Sequence, residues 1–261
     1  MLFKKLNIQT YAPRVLNQYL EGFKIYHFGE TSDIQLFPIG VFEIVFQSSD
    51  DFLHNTSYSS GWETRPKNFV GGLHNKSYQV KSNGKKNFCI VVEFKPNTAK
   101  YFIPHKLQDF QNNVVDVFDI WGNDAIDLSE KITEEKDDFR KIDLIEAFLL
   151  DKFVAQKGSV IDHALASILD SKGFVEINKL AKNVALSTAQ FRKRFREEIG
   201  ISPSQYCKII RIKTTLDIFE QNYQRPLTEL TYMLGYFDQS HFIKDFKSIT
   251  GFSPKRFKKA I

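Results

Sequence analysis

The feature that most constrains this chain is a repeat within it. FRKRFREEIGISPSQY (191–206) superimposes without a gap on FIKDFKSITGFSPKRF (242–257), at a constant offset of 51. The offset pairs Phe191 with Phe242, Phe195 with Phe246, Gly200 with Gly251, Ser202 with Ser253, Pro203 with Pro254 and Tyr206 with Phe257. Phe at i and i+4 puts two rings on one helical face, which must be buried. The Gly five residues later can take the left-handed conformation that ends a helix. Ser-Pro then opens another helix, Ser as N-cap and Pro where no N–H is needed. The same plan of helix, stop and new helix is therefore written twice.

A second short helix is expected upstream of each Phe pair. VEINKLAKNVAL (175–186) carries Ile177, Leu180, Ala181 and Val184 at helical spacing, after which Ser187 can cap the next helix. LTELTYMLGYF (227–237) repeats this with Leu227, Leu230, Met233 and Leu234; Gly235 marks a turn and Asp238 a cap. Between the units, PSQYCKIIRIKTTLDIFEQ (203–221) reads as one connecting helix. Two short helices with a tight turn, the second rich in Lys and Arg, outline a helix-turn-helix.

Charge follows the same division. Residues 1–158 carry 19 Lys+Arg against 21 Asp+Glu, net −2, whereas residues 159–261 carry 17 against 10, net +7. A basic part joined to a nearly neutral one suits a polyanionic partner, because Lys and Arg displace counterions from phosphates.

At these residues the chain resembles the AraC/XylS family of transcription regulators. The family's most diagnostic run corresponds here to GYFDQSHFIKDFKSITGFSP (235–254), with Lys244 in place of the usual Arg and Asp245 in a commonly apolar slot. The first unit matches more loosely, with Phe191 for Leu, Lys193 for Arg and Arg194 where an aliphatic residue is usual. The resemblance covers about residues 158–261. It implies a DNA-binding domain of two helix-turn-helix units, about 175–200 and 227–250, joined by a long helix, with double-stranded DNA as partner.

Helical geometry selects the outward faces. If Ser187 caps the first reading helix, Thr188, Ala189, Arg192, Lys193 and Arg196 fall within one arc opposite the Phe pair. In the second unit the same face comprises Gln239, Ser240, Ile243, Lys244 and Lys247. Arg and Lys can donate to guanine O6/N7, Gln can pair with adenine, and Thr, Ala or Ile can touch thymine methyl groups. Arg196 and Lys247, furthest from the helix starts, are equally suited to phosphate. For Arg211, in the connecting helix, a bracing ion pair and a phosphate contact are both open, the former preferred.

The amino-terminal part reads differently. VFEIVFQ (41–47) alternates, FCIVVEF (88–94) is a nearly continuous buried strand, and KSNGKKN (81–87) supplies an Asn-Gly turn. FPIGVFEIVF, RPKNFVGGLH, VVEFKPNTAKYF and VVDVFDIWG resemble the cupin-like domain that often precedes AraC-type units. The fold class expected is α+β multidomain: a β-rich, cupin-like sensor or dimerisation domain over 1–125, a helical linker over 126–157, and the all-α DNA-binding domain over 158–261. EEKDDFRKIDLIEAFLLDKF (134–153) presents Phe139, Ile142, Ile145, Phe148 and Leu149 at helical spacing, and IDHALASILDSKG (161–173) presents Ile161, Leu165, Ile168 and Leu169.

Several classes are disfavoured. His27, His54, His74 and His105 stand singly, without the H-x-H pair and carboxylate of a metal-dependent cupin enzyme; no G-x-S-x-G elbow, P-loop or H-E-x-x-H helix occurs. An isolated His is expected to be a surface or hydrogen-bonded residue, GGLHNKSY (71–78) a bend between strands, and Cys89 inert packing. No cofactor, metal or enzymatic activity is expected. Cys89 and Cys207 form no disulfide framework, and no membrane span or apolar leader segment is evident, so a cytoplasmic location is expected. The leading reading is a bacterial, sequence-specific transcription regulator. A small-molecule effector, RNA polymerase and a second copy of the chain are further candidate partners. An architectural DNA binder and a cupin-like enzyme with accessory DNA binding are the alternatives, and the ligand-binding residues are unassigned.

Overall fold

The structure is a computed structural model and describes residues 7–28, 32–49, 52–56, 61–82, 87–221 and 226–260. The Asn-Gly turn expected at 83–84 lies outside the described residues.

The amino-terminal part is built from two antiparallel sheets. Strands β1 (Asn7–Tyr11), β2 (Leu20–Phe28), β4 (Glu43–Gln47), β7 (Asn68–Gly71), β9 (Asn87–Phe94) and β10 (Val114–Asp116) form a six-stranded sheet in the order β1-β2-β9-β4-β7-β10. Strands β3 (Ser32–Leu36), β5 (Phe52–Thr56), β6 (Glu63–Thr64) and β8 (Tyr78–Ser82) form a second sheet, β3-β8-β5-β6. The run FCIVVEF is apolar but for Glu93, which pairs with Lys24, because β9 is central, paired with β2 and β4, and covered on both faces. Cys89 joins Phe28, Ile34, Val45, Phe52, Phe69 and Val80 between the sheets, while Ile90, Val92 and Phe94 face a larger apolar core on the other side. The alternation in VFEIVFQ likewise separates two buried faces, Val45 on one and Ile44 and Phe46 on the other.

Helices α1 (Val117–Trp121), α2 (Asn123–Glu134) and α3 (Asp138–Lys152) follow, so residues 126–157 are largely helix. Asp137 caps α3 by accepting from the Arg140 N–H at 2.9 Å, and Ile142, Ile145 and Leu149 are buried. The buried carboxylate of Glu146 accepts the backbone N–H groups of Arg14, Val15 and Leu16 at 3.0–3.1 Å. Helix α3 is thereby clamped to the connection between β1 and β2. Phe139, grouped with this apolar stripe by its spacing, is instead largely exposed and meets Tyr11 edge-on at 5.1 Å.

The carboxyl-terminal part is helical: α4 (Val160–Asp170), α5 (Ile177–Asn183), α6 (Thr188–Ile199), α7 (Pro203–Glu220), α8 (Leu227–Met233), α9 (Gln239–Thr250) and α10 (Pro254–Ala260). The larger core runs on into these helices. Gly40 lies against Ile209, Ile210 and Tyr206, so closely that a Cβ there would sit 3.2 Å from Ile210, and Phe37 meets Phe257 edge-on at 5.4 Å. No helix among the described residues is long and apolar enough to cross a membrane.

Candidate nucleic-acid interface and cavity

Each reading helix starts from a side-chain cap. Ser187 opens α6 with a capping box: its hydroxyl accepts from the Gln190 N–H at 3.3 Å, and the Gln190 carboxamide oxygen accepts from the Ser187 N–H at 3.1 Å. Asp238 opens α9 by accepting from the His241 N–H at 2.8 Å. Both helices end at a left-handed glycine, Gly200 (φ 94°) and Gly251 (φ 80°). Phe191, Phe195, Phe242 and Phe246 are fully buried, each pair in contact at 5.7 and 5.9 Å between centroids. Burying the rings turns the opposite face outward: Ala189, Arg192, Lys193 and Arg196 are exposed on α6, and Ser240, Lys244 and Lys247 on α9. Thr188, Gln239 and Ile243 are half-buried, and the Thr188 hydroxyl donates to Asn178 Oδ1 at 3.1 Å. Lys255 and Lys259 of α10 border a groove shared with Gln239, a cationic rim that helix periodicity within the repeat does not reveal.

The chain to each cap differs by one residue. In the first unit the turn passes through Val184, Ala185 and Leu186, with Ala185 at φ 55°. In the second it passes through Leu234, Gly235, Tyr236 and Phe237, with Gly235 at φ 72°. The Leu186 N–H donates to the Ala181 carbonyl as the Tyr236 N–H donates to that of Thr231, so the offset is 50 before the caps and 51 after them. Phe237 is the added residue and is 89% exposed.

Asp245 occupies a position where α9 faces inward and is only 6% exposed. Lys208 of α7 pairs with it at 2.8 Å, Arg211 at 3.7 Å and His241 at 3.7 Å. The Arg211 guanidinium also lies over the rings of Phe174 and Tyr236, at 5.3 and 5.5 Å. Arg211 is thus a brace between α7, α9 and the turn of the second unit.

Both reading helices are held at their carboxyl-terminal ends by the amino-terminal part. On α6, Glu198 receives Lys100 at 3.2 Å, joined by the hydroxyl of Ser159, the cap of α4, at 2.6 Å, while the backbone at Gly200 approaches Leu107 so closely that a Cβ would meet its carbonyl at 2.9 Å. On α9, Ser77 donates its N–H to the Ile249 carbonyl at 2.7 Å and its hydroxyl to that of Thr250 at 3.0 Å. Carbonyls at a helix end have no partner within the helix, so Ser77 acts as a cap supplied from a distant part of the same chain.

Ser77 adjoins Tyr78, which lines a cavity of about 80 Å³ between the two sheets. Phe28, Ile34, Val45, Phe52, Phe69 and Val80 make its walls apolar; Glu43, Gln47, His54 and Tyr78 are polar. The Tyr78 hydroxyl crosses between the sheets to donate to Glu43 Oε1 at 3.3 Å. Burial, reinforced by the neighbouring Glu93 carboxylate, pushes Glu43 up to about 7. His54 is only 3% exposed and neither ring nitrogen has a hydrogen-bond partner among the described residues. Burial holds it down to about 3, and His74, whose ring leans on Tyr78 at 4.7 Å, down to about 4; both are neutral at pH 7. The expectation that isolated histidines sit at the surface or hydrogen-bonded fails at His54, because sheet pairing turns alternate residues of β5 inward. The second glycine of GGLHNKSY is a contact point, since a Cβ on Gly72 would fall 1.9 Å from the Phe110 carbonyl oxygen.

Comparison with known proteins agrees with this geometry. A helix-turn-helix domain model matches residues 180–260, and a domain of unknown function (DUF6597) matches residues 9–116. The probable transcriptional regulator LumQ of Photobacterium leiognathi is 26% identical over 120 residues, 46% of this chain and 43% of that protein. The arabinose operon regulatory protein of Salmonella typhimurium is 25% identical over 133 residues, 46% of this chain and 47% of that protein. The chain spans between 28% and 47% of the length of the curated relatives it matches. Among solved structures, ToxT from Vibrio cholerae has a TM-score of 0.51 at 12% identity, covering 92% of this chain and 98% of that one. A second ToxT structure, with unsaturated fatty acid bound, has a TM-score of 0.52 at 12% identity over 95% of this chain and 98% of that one. The chain carries an AraC-type helix-turn-helix domain at its carboxyl-terminal end, preceded by a β-rich region in the two-part fold of ToxT.

Proposed function

We propose that the chain is a sequence-specific transcription regulator that acts in the cytoplasm and reads two adjacent major grooves of double-stranded DNA with α6 and α9. The observation that carries this is the pairing of two capped helices, each with its Phe pair buried and its cationic face exposed, across one connecting helix. Helix α7 has 18 residues, about 27 Å at 1.5 Å per residue, against the roughly 34 Å between successive major grooves on one face of DNA. The shortfall calls for a modest bend in the duplex. Ala189, Arg192, Lys193, Ser240, Ile243 and Lys244 are the base-reading candidates, with Thr188 and Gln239 at the helix starts. Arg196 and Lys247 lie furthest along and serve phosphates.

The amino-terminal part is the sensor in this reading. Its cavity and its grip on α9 meet at adjacent residues, Tyr78 and Ser77, so a small molecule that moves Tyr78 changes the cap on the second reading helix. RNA polymerase and a second copy of the chain are the protein partners such a regulator uses.

Selection from a random duplex pool over a salt series tests the reading. Enrichment of one bipartite motif, its halves about 10 base pairs apart, is expected. Lys244→Ala should relax preference at one base position, whereas Arg196→Ala should weaken all sequences alike and reduce the salt slope by about one. A pool that enriches nothing, or binding that depends on salt alone, overturns it.

A further inference from the structure

The cavity between the sheets contains a polar arrangement that the chain itself leaves incomplete. His54 is nearly fully buried with both ring nitrogens bare among the described residues, although a neutral imidazole has one donor and one acceptor to satisfy. Buried polar atoms in native proteins are nearly always paired, and an exception calls for a partner supplied from elsewhere. His54 is one of the lining residues, as is Glu43, which the Tyr78 hydroxyl holds from the opposite sheet. The remaining lining is almost wholly aromatic and aliphatic.

Charge narrows the class of partner. Among the described residues, no Lys or Arg lines the cavity. Of the cations around it, Lys24 pairs with Glu93 at 2.6 Å, and Arg65 lies over the Tyr78 ring at 5.6 Å, where its charge acts on Glu43 and His54 from outside the lining. A carboxylate guest would therefore meet the Glu43 carboxyl, with Glu93 on the neighbouring strand, in surroundings that screen poorly. A hydroxyl can donate to Glu43 or to the bare His54 nitrogen and accept from the imidazole N–H. An ammonium can neutralise Glu43. At 80 Å³ the space is smaller than the 150 Å³ that holds benzene in an engineered apolar cavity, so the guest is compact.

We propose that this cavity binds a compact, mainly apolar alcohol or amine, whose polar end sits against Glu43 and His54. The assignment rests on reading the amino-terminal part as the sensor, and adds to it the chemistry of the guest and the residues that recognise its head group. It also separates this chain from the bound ToxT structure, whose guest is a fatty acid.

The test uses the full chain and two matched sets of probes: propan-1-ol, propylamine and propionate, then isobutanol, isobutylamine and isobutyrate. Saturation-transfer NMR measures binding, and 15N labelling of histidine follows the His54 ring directly. The alcohol and amine of at least one set should bind at least tenfold more tightly than the carboxylate and shift the His54 nitrogens. Glu43→Gln, nearly isosteric, should weaken the amine more than the alcohol, and His54→Phe should abolish the selectivity against the carboxylate. Equal or tighter carboxylate binding, no binding in either set, or an unmoved His54 signal overturns the proposal. DNA binding is scored on the same preparation. Probe binding without any DNA binding counts against the regulator reading alone, and DNA binding with an empty cavity counts against this proposal alone.

Discussion

The two helix-turn-helix units solve the same mechanical problem with different means. The first has a capping box, an Ala in the left-handed turn position and an exposed Arg194 at the place in its reading helix that Asp245 occupies in the second. The second has a single Asp cap, a Gly at the turn, one added residue and a buried carboxylate tied to α7. What is shared is the Phe pair and the left-handed glycine that ends each helix. The difference shows that orientation of a reading helix is set by its buried aromatic face, while the polar attachments around it can be exchanged.

The largest expected effect tests the shared part. Phe195→Ala and Phe246→Ala should each cost about 3–5 kcal/mol, since both rings are fully buried. Chemical denaturation of the two variants would break the equivalence if one cost less than half of the other. Next comes the part that differs. Asp245→Ala leaves Lys208 and Arg211 without their carboxylate and should cost about 2–3 kcal/mol, the low end for a broken buried pair because both cations retain some water. Arg194→Ala should stay within about 0.5 kcal/mol. An equal loss in both variants would mean that the ion cluster contributes nothing specific to the second unit.

The turns should respond in opposite directions. Gly235→Ala forces a Cβ into a left-handed residue, 3.0 Å from the Phe174 ring, and should lower stability by about 2 kcal/mol. Ala185→Gly relieves the same backbone strain at the matching place and should raise stability by about 0.5–1 kcal/mol, read as a higher denaturation midpoint. The smallest effect is expected at Phe237, where replacement by Ser should change stability by less than about 0.5 kcal/mol because the ring is almost fully exposed. A large loss there would show that the added residue packs after all.

The reading helices were legible because their signals are local. Phe spacing, Ser187 and Asp238 as caps and Gly200 and Gly251 as stops act within one turn of helix, and each takes its expected part. The outward residues follow from the same periodicity. Asp245 was visible only as a departure from an apolar slot; its partners lie on α7 and could not be read from spacing. Phe139 belongs by periodicity to the apolar stripe of α3, yet neighbouring structure covers Ile142, Ile145 and Leu149 and leaves Phe139 at the edge. In the amino-terminal part, the alternation of VFEIVFQ announced a strand without telling that both of its faces would be buried.

The order of residues alone determined where helices start, stop and turn their rings, because capping, left-handed glycine and 3.6-residue periodicity are interactions between near neighbours. Only the tertiary structure decided that His54, Glu43 and Tyr78 meet in one cavity, and that Ser77 beside them grips the end of α9. Those contacts join residues on different strands and, for Ser77, partners about 170 positions apart along the chain. Such meetings depend on sheet order and on how the helices dock, neither of which leaves a periodic trace.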